Sequence, residues 1–389
     1  MEIGIDASRA FSRGPTGIGI YATQVISRLI VVPPAPLRLY LNRRTPPDDA
    51  PELRGGSEWR CLPLPRGWTA VRLRWELSRQ PPALLWIPAY RLPPGRVPRT
   101  LVTIHGVEHR FAPHAYPGSQ AKAVESFVQD TLRRAARVIV PSETTRADLV
   151  HLYHANPDLI TVIPHGVGAE LLPIPPERCH DLLHSLGVQP PYFLMVGAHH
   201  PRKNGGFLVE RFAEAFPAGQ SPAVKLVVTN AARAPATALQ VRAQELRVGD
   251  RLITLEHVSG ASLAALYTGA VAACVPSLYE GFGLPALEAM ACGAPVLAND
   301  VGGVQEIAQG AALLVSVQDH LGWVDGLRRL RGEMGWRAHL RELGLARASR
   351  FSWERSAQAH AELLAGELRL ARSSSPGSAR RVPPRLPRG

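Results

Sequence analysis

Two glutamates, Glu280 and Glu288, stand with seven residues between them in the stretch YEGFGLPALEAMACGAPVLAND, residues 279–300. Between them lie two glycines, a phenylalanine and a proline. The preceding VAACVPS (271–277) predicts a strand, so any chemistry would begin at its carboxyl end. Gly281 and Gly283 allow positive φ or a close approach to a ligand. Pro285 suits the first turn of a helix, where its missing N–H costs nothing. Gly293 suits the far end of that helix. Free backbone N–H groups at such a helix start, from Gly281 and Phe282 to Gly283 and Leu284, attract an anion. A phosphate crowded by both carboxylates would be repelled. A diphosphate flanked by two hydroxyl-rich ends satisfies every group, with a ribose at one glutamate and a sugar at the other. The plainer alternative has Glu280 capping a helix and Glu288 on a solvated helical face.

Three further stretches offer matching chemistry. LMVGAHHPRKN (194–204) places Arg202 and Lys203 beyond the end of a strand. Two adjacent cations suit a diphosphate leaving group, whose developing charge needs stabilising. GPTGIGIYA (14–22) is a glycine-rich segment opening a helix, with Gly17 and Gly19 as candidates. Its spacing is G-x-x-G-x-G rather than G-x-G-x-x-G, and the next strand ends in LYLNRR, without the acid that would hold an adenosine ribose. That argues against a dinucleotide-dependent oxidoreductase. TLVTIHGVEHRFAP (100–113) puts His105 at a strand end, a place where a histidine can meet a ligand. Cys179, His180 and His184 have helical metal-ligand spacing but no evident further cluster partner. No D-x-D pair is present either, so no metal is expected.

EGFGLPALEAMACGAPV resembles the E-x7-E motif of the retaining group 1 glycosyltransferases of family 4, which have the GT-B fold. The resemblance implies that Glu280 contacts hydroxyls of a donor sugar and Glu288 the nucleotide ribose. It implies that amides near Phe282–Leu284, with Arg202 and Lys203, hold the diphosphate. Gly17 and Gly19 would lie over the cleft, and His105 would touch the donor sugar from across it. Some relatives carry an arginine where this chain has Ala198, and many have "HD" where this chain has "HG". VIVPSETTRADL (138–149), with Ser142 as a helix cap, VIPHGV (162–167), NDVGGVQEIAQGAALLV (299–315) and FSWERSAQAHAELLAGEL (351–368) resemble family segments too. The implied reaction transfers a hexose from a nucleotide sugar to a glycan or lipid-linked hydroxyl in surface polysaccharide synthesis, with GDP-mannose the first guess. A GT-B-like nucleotide-sugar epimerase and a non-catalytic nucleotide-sugar-binding protein remain alternatives.

The elements that must position these residues are legible as a repeated pattern. Apolar runs at Glu2–Ala7, Leu37–Leu41, Leu84–Ile87, Thr100–Ile104, Arg137–Val140 and Ile160–Ile163 predict strands in the first half. Tyr192–Val196, Val224–Thr229, Arg251–Thr254, Val271–Val275, Pro295–Ala298 and Ala312–Val315 do so in the second. Strands alternating with helical segments imply parallel sheets with crossover helices, so the expected fold is α/β, two doubly wound Rossmann-like domains facing across a cleft. The expected domains are 1–180 on the acceptor side, rejoined by a crossover helix near 351–367, and 187–350 for the nucleotide sugar. The proline-rich LLPIPPERCHDLLHSLGVQPPY reads as a linker near 172–190.

The chain has 389 residues, 46% of them hydrophobic, and a formal charge of +12. Mean hydropathy is −0.03, and no apolar run is long enough to span a bilayer. Four cysteines without paired spacing suit free thiols in a reducing cytoplasm. After Glu367 there is no acid but arginines at 369, 372, 380, 381, 385 and 388. The Ser-, Pro- and Arg-rich segment 369–389 is too poor in apolar residues to pack and is expected to be disordered. Such an arm could also meet an anionic membrane surface, placing the protein in the cytoplasm or peripherally on the plasma membrane's inner face. No nucleic-acid motif accompanies it.

Overall fold

The computed structural model describes residues 2–373 apart from 12–15, 49, 65, 199, 220–223, 230–232 and 259. Of the arginine-rich segment 369–389, residues 369–373 belong to a helix and the rest, like Gly14 of the glycine-rich stretch and His199, lies outside the described residues. Two parallel α/β domains are present, as the alternation of strands and helices predicts. Among the described residues the first sheet contains β1 Ile3–Asp6, β2 Leu37–Leu41, β3 Glu58–Cys61, β4 Leu84–Ile87, β5 Thr100–Thr103, β6 Arg137–Val140 and β7 Ile160–Val162. Their spatial order is β3-β2-β1-β4-β5-β6-β7. The second contains β8 Tyr192–Val196, β9 Lys225–Thr229, β10 Leu252–Leu255, β11 Ala272–Val275, β12 Val296–Ala298 and β13 Leu313–Leu314, in the order β10-β9-β8-β11-β12-β13.

Both orders reverse direction after the first strand, between β1 and β4 and between β8 and β11. An open parallel sheet leaves a crevice at such a switch point, outside the carboxyl ends of the strands. The central strands are apolar because helices cover both faces: β4 is LLWI and β11 is AACV, each fully buried. β3, EWRC, is a half-buried edge strand that the sequence reading does not anticipate. It is short and half charged, and its pairing with β2 supplies what its composition lacks.

The segment 172–190 is more ordered than a linker. Pro176–Ser185 forms a helix, with Pro176 in the first turn, where proline is tolerated. Cys179 and Leu183 join Tyr192, Ala265 and Leu266 in the second domain's core. The long helix Trp353–Ser373 returns to the first domain. There Trp353, Ala357, Leu364 and Leu368 pack with Ile3, Ile5, Trp86 and Leu101. Each large apolar side chain so buried contributes roughly 1.5–3 kcal/mol. The carboxylate of Glu367, 2% exposed, receives Arg99 Nη2 at 2.5 Å and Arg137 Nε at 2.7 Å, tying the returning helix to the first sheet.

Candidate active site

The loop after β11 makes the expected strand–loop–helix turn. Gly283 takes φ 103°, a left-handed conformation that favours glycine, and the helix Leu284–Ala291 starts directly after it with Pro285 in its first turn. The helix stops at Cys292, and Gly293 at φ 75° lets the chain turn away. In the first turn Pro285 has no N–H, and Ala286 N donates to the Gly283 carbonyl at 3.0 Å.

Glu280 lies just before this helix and is buried. Its Oε1 accepts from Lys203 Nζ at 2.5 Å and Ser277 Oγ at 2.7 Å, and its Oε2 from Arg202 Nη1 at 3.1 Å. Burial alone would raise this carboxyl, but Lys203 and Arg202 outweigh it and hold the group at about 2. Arg202 and Lys203 come from the short 3-10 turn Pro201–Lys203, just past the end of β8. A second bond from Arg202 Nη1 to the Tyr279 carbonyl, 3.2 Å, and one from Leu278 N to the Arg202 carbonyl, 2.8 Å, bind the two loops together. Here an ionised carboxylate and two cations sit at the mouth of a helix N-terminus.

Glu288 behaves in the opposite way. Burial pushes its carboxyl up to about 7, against the bond it accepts from Tyr267 Oη at 3.0 Å. It lines a cavity of about 990 Å³ between the domains, whose wall also includes Glu170 and His257 on one side and Gln24 and Arg43 on the other. Glu280 and Glu288 therefore occupy distinct environments on either side of the same helix start.

The first domain closes over this loop. Gly17 and Gly19 are in the first turn of the helix Gly17–Val31 rather than in a loop, with Thr16 as the cap accepting from Gly19 N. A methyl on Gly17 would lie 3.7 Å from Leu284 Cδ1, so the starts of the two helices face each other. His105, after β5, directs its backbone at the loop Glu280–Leu284: a methyl on Gly281 would fall 1.8 Å from the His105 carbonyl oxygen. The Gly281 carbonyl accepts from Ser142 Oγ at 2.6 Å and from Thr145 Oγ1 at 3.0 Å, both in the first domain. Tyr279 stacks on Phe111 with ring centroids 4.4 Å apart and donates to Asp148. Gly303 N donates to the Glu280 carbonyl at 2.8 Å, so the loop Asp300–Gly303 backs the motif from behind.

The structure thus brings together Glu280, Arg202, Lys203, His105, Gly17 and the stretch Gly281–Leu284. Glu288 lies one helical turn away, and Gly19 is buried within its helix. Sequence reasoning did not single out Ser277, Tyr267, Thr145, Asp148 or His165 as parts of this assembly. Ser142, expected as a helix cap, is one, since it accepts from Thr145 N at 3.0 Å, but it also reaches across the cleft. Among the described residues no three His, Cys, Asp or Glu side chains are grouped to hold a metal ion.

Comparison with known proteins bears on the family and the fold. Residues 190–332 match the pattern of group 1 glycosyl transferases, and residues 30–171 that of glycosyltransferase family 4. The O-antigen chain mannosyltransferase B of Escherichia coli is 27% identical, covering 87% of this chain and 93% of that protein. A D-inositol 3-phosphate glycosyltransferase of Xylanimonas cellulosilytica is 33% identical, covering 66% of this chain and 62% of that one. Sucrose-phosphate synthase from Thermosynechococcus elongatus superposes with a TM-score of 0.77 at 23% identity, over 96% of this chain and 100% of that one. The Anabaena protein HepE, solved with UDP-glucose, gives 0.73 at 16% identity, over 94% and 100%. At these identities the two solved structures speak for the fold alone.

Proposed function

The chain belongs to the family 4, group 1 glycosyltransferases, and on that premise we propose that it is a retaining enzyme moving a hexose from a nucleoside diphosphate sugar to a hydroxyl of a glycan or lipid-linked acceptor. The observation that carries this reading is the Glu280–Lys203–Arg202 cluster at the mouth of the helix Leu284–Ala291. A carboxylate there accepts hydrogen bonds from sugar hydroxyls. The cations and the helix start meet the diphosphate, whose charge grows as the glycosidic bond breaks. Glu288, on the cavity wall, is the acceptor for the ribose hydroxyls.

The reaction on this reading proceeds on one face of the sugar. The bond from the anomeric carbon to the diphosphate oxygen breaks, and the acceptor oxygen forms its bond on the same side. The leaving phosphate oxygen takes the acceptor's proton, so the protein supplies no general base. Lys203 and Arg202 stabilise the departing charge, and the first domain, pressed on Gly281, keeps water from the reactive sugar. The reaction as written uses no metal. The acceptor binds on the first-domain side of the cleft. Mannose is the first donor sugar to test, because the Escherichia coli relative is named as a mannosyltransferase. A lipid-linked acceptor would place the work at the cytoplasmic membrane surface. No helix among the described residues is long and apolar enough to cross a membrane.

A thermal-shift screen against GDP-mannose, UDP-glucose, UDP-galactose, UDP-GlcNAc and dTDP sugars tests the reading. A donor at about a hundred times its Kd adds roughly 2.7 kcal/mol of stability. A shift with one donor, lost in Glu288→Gln, supports it. The absence of any shift, together with no release of nucleoside diphosphate in the presence of candidate acceptors, overturns it.

A further inference from the structure

We propose that His165, just after β7, is a positioning residue that locks the ring of His105 and so fixes the backbone of His105 where its carbonyl faces Gly281 of the donor loop; the proposal rests on the donor-site reading above. The argument starts from the hydrogen bonds. His105 Nε2 is 2.8 Å from the Pro88 carbonyl oxygen. A carbonyl only accepts, so Nε2 carries the proton, and in a neutral ring Nδ1 is bare. His165 Nε2 lies 3.4 Å from that bare nitrogen and is therefore its donor. Burial keeps both rings neutral, since it lowers the pKa of each.

His165 Nδ1 is then bare as well. It is buried with no hydrogen-bond partner among the described residues. The His165 ring is only 4% exposed and packs between Tyr21, centroid 4.7 Å away, and Phe282, 4.8 Å away. It thus touches the first-domain histidine and the centre of the second-domain donor loop at once. With Pro88 on one nitrogen and His165 on the other, the His105 ring plane is set at both ends. Its edge stands on Tyr21 at 4.8 Å and 82°. Without His165, a buried Nδ1 acceptor would be left with nothing to hold it, and the ring would be free to turn.

Three substitutions in the full chain separate the possible roles, because the two amides mimic different ring nitrogens. His165→Gln places an N–H where Nε2 stands, while His165→Asn places a polar atom where Nδ1 stands, and His165→Leu supplies neither. Assayed with the donor found in the screen, His165→Gln should keep kcat and donor KM within about threefold of the wild type, whereas the Asn and Leu variants should lose about tenfold or more in kcat/KM. The double variant His105→Ala, His165→Leu should be no worse than His105→Ala alone, as expected of residues acting through one another. Activity kept in Asn but lost in Gln would overturn the proposal in favour of direct substrate contact by Nδ1. Equal effects in all three, or additive losses in the double variant, would reduce His165 to packing. Should the wild type turn over no nucleotide sugar, the donor-site reading itself falls. The His105 side-chain 15N signals then judge the pair. The Nδ1 signal must move in His165→Leu and stay in His165→Gln, and an unmoved signal in both removes the pairing.

Discussion

Glu280 and Glu288 share one loop and helix yet ionise very differently, because one has three donors and the other has one. The sign of each effect on stability follows. Glu280, held at about 2 in the fold against an ordinary value of 4.5, contributes stability that is full above 4.5 and is lost as pH falls toward 2. Glu288, raised to about 7, binds a proton in the fold that the unfolded chain has released, so its contribution is lost as pH rises from 4.5 through 7. Melting temperature measured from pH 4.5 to 8 should therefore fall less steeply in Glu288→Gln than in the wild type. Parallel curves would show that the carboxyl is not raised. Donor affinity should move the other way, strengthening through pH 7 in the wild type and staying flat in the variant, because the ribose needs the ionised form. Lys203→Ala leaves a buried carboxylate short of its closest partner. Chemical denaturation should show a loss of about 3–5 kcal/mol. At saturating donor, kcat should drop about 100- to 1,000-fold. A variant with full kcat would remove Lys203 from leaving-group stabilisation.

The helix Glu143–Tyr153 shows how one element serves two tasks. Ser142 caps it and also bonds Gly281 across the cleft, whereas Thr145 Oγ1 makes a cross-cleft bond from within the first turn. Ser142→Ala should cost about 0.5–2 kcal/mol through the cap alone. Thr145→Val spares the cap, so its effect should appear in donor Kd, weaker by roughly fivefold for one net hydrogen bond of about 1 kcal/mol. Calorimetric titration with the donor would check it, and an unchanged Kd would exclude this bond from the donor-bound state. The cap was legible in the sequence because SETT carries a local signal. The cross-cleft bond was not, since its partners are 139 residues apart. Strands such as LLWI and YFLMV announced themselves by unbroken apolar runs, and the Glu280 loop by its glycines and proline. EWRC did not, because an edge strand needs only one good neighbour. The helix Pro176–Ser185 was hidden by its own prolines, which open it rather than break it. His165 and Tyr267 carried no local pattern; their importance comes from what lies beside them in the fold.

Across the whole molecule, the two domains meet through large side chains, such as Tyr279 stacked on Phe111, and through backbone. A close backbone approach is at Gly281, where no methyl group fits against the His105 carbonyl. Gly281→Ala should hold the cleft open. Small-angle scattering should record a larger radius of gyration. Turnover should fall about 100-fold or more, as expected when closure is blocked, while free nucleoside diphosphate still binds. Unaltered scattering and turnover would mean that the loop can shift to admit the methyl. The Trp353–Ser373 helix is a further link between the domains, and Glu367→Ala should destabilise the first domain by about 1–3 kcal/mol by leaving the part-exposed Arg99 and Arg137 without their shared carboxylate.

That returning helix also sets an order of assembly during synthesis. The strands of the first sheet are all made before those of the second, yet Trp353, Leu364 and Leu368 cover that sheet's apolar face. While the chain is still growing, residues such as Ile5 and Trp86 have only the partial cover of the helix Gly17–Val31. The second domain, whose strands end at Leu314, can complete itself first. On the ribosome the domain begun first is thus the last one finished, and its half-built core is the surface a chaperone would have to guard.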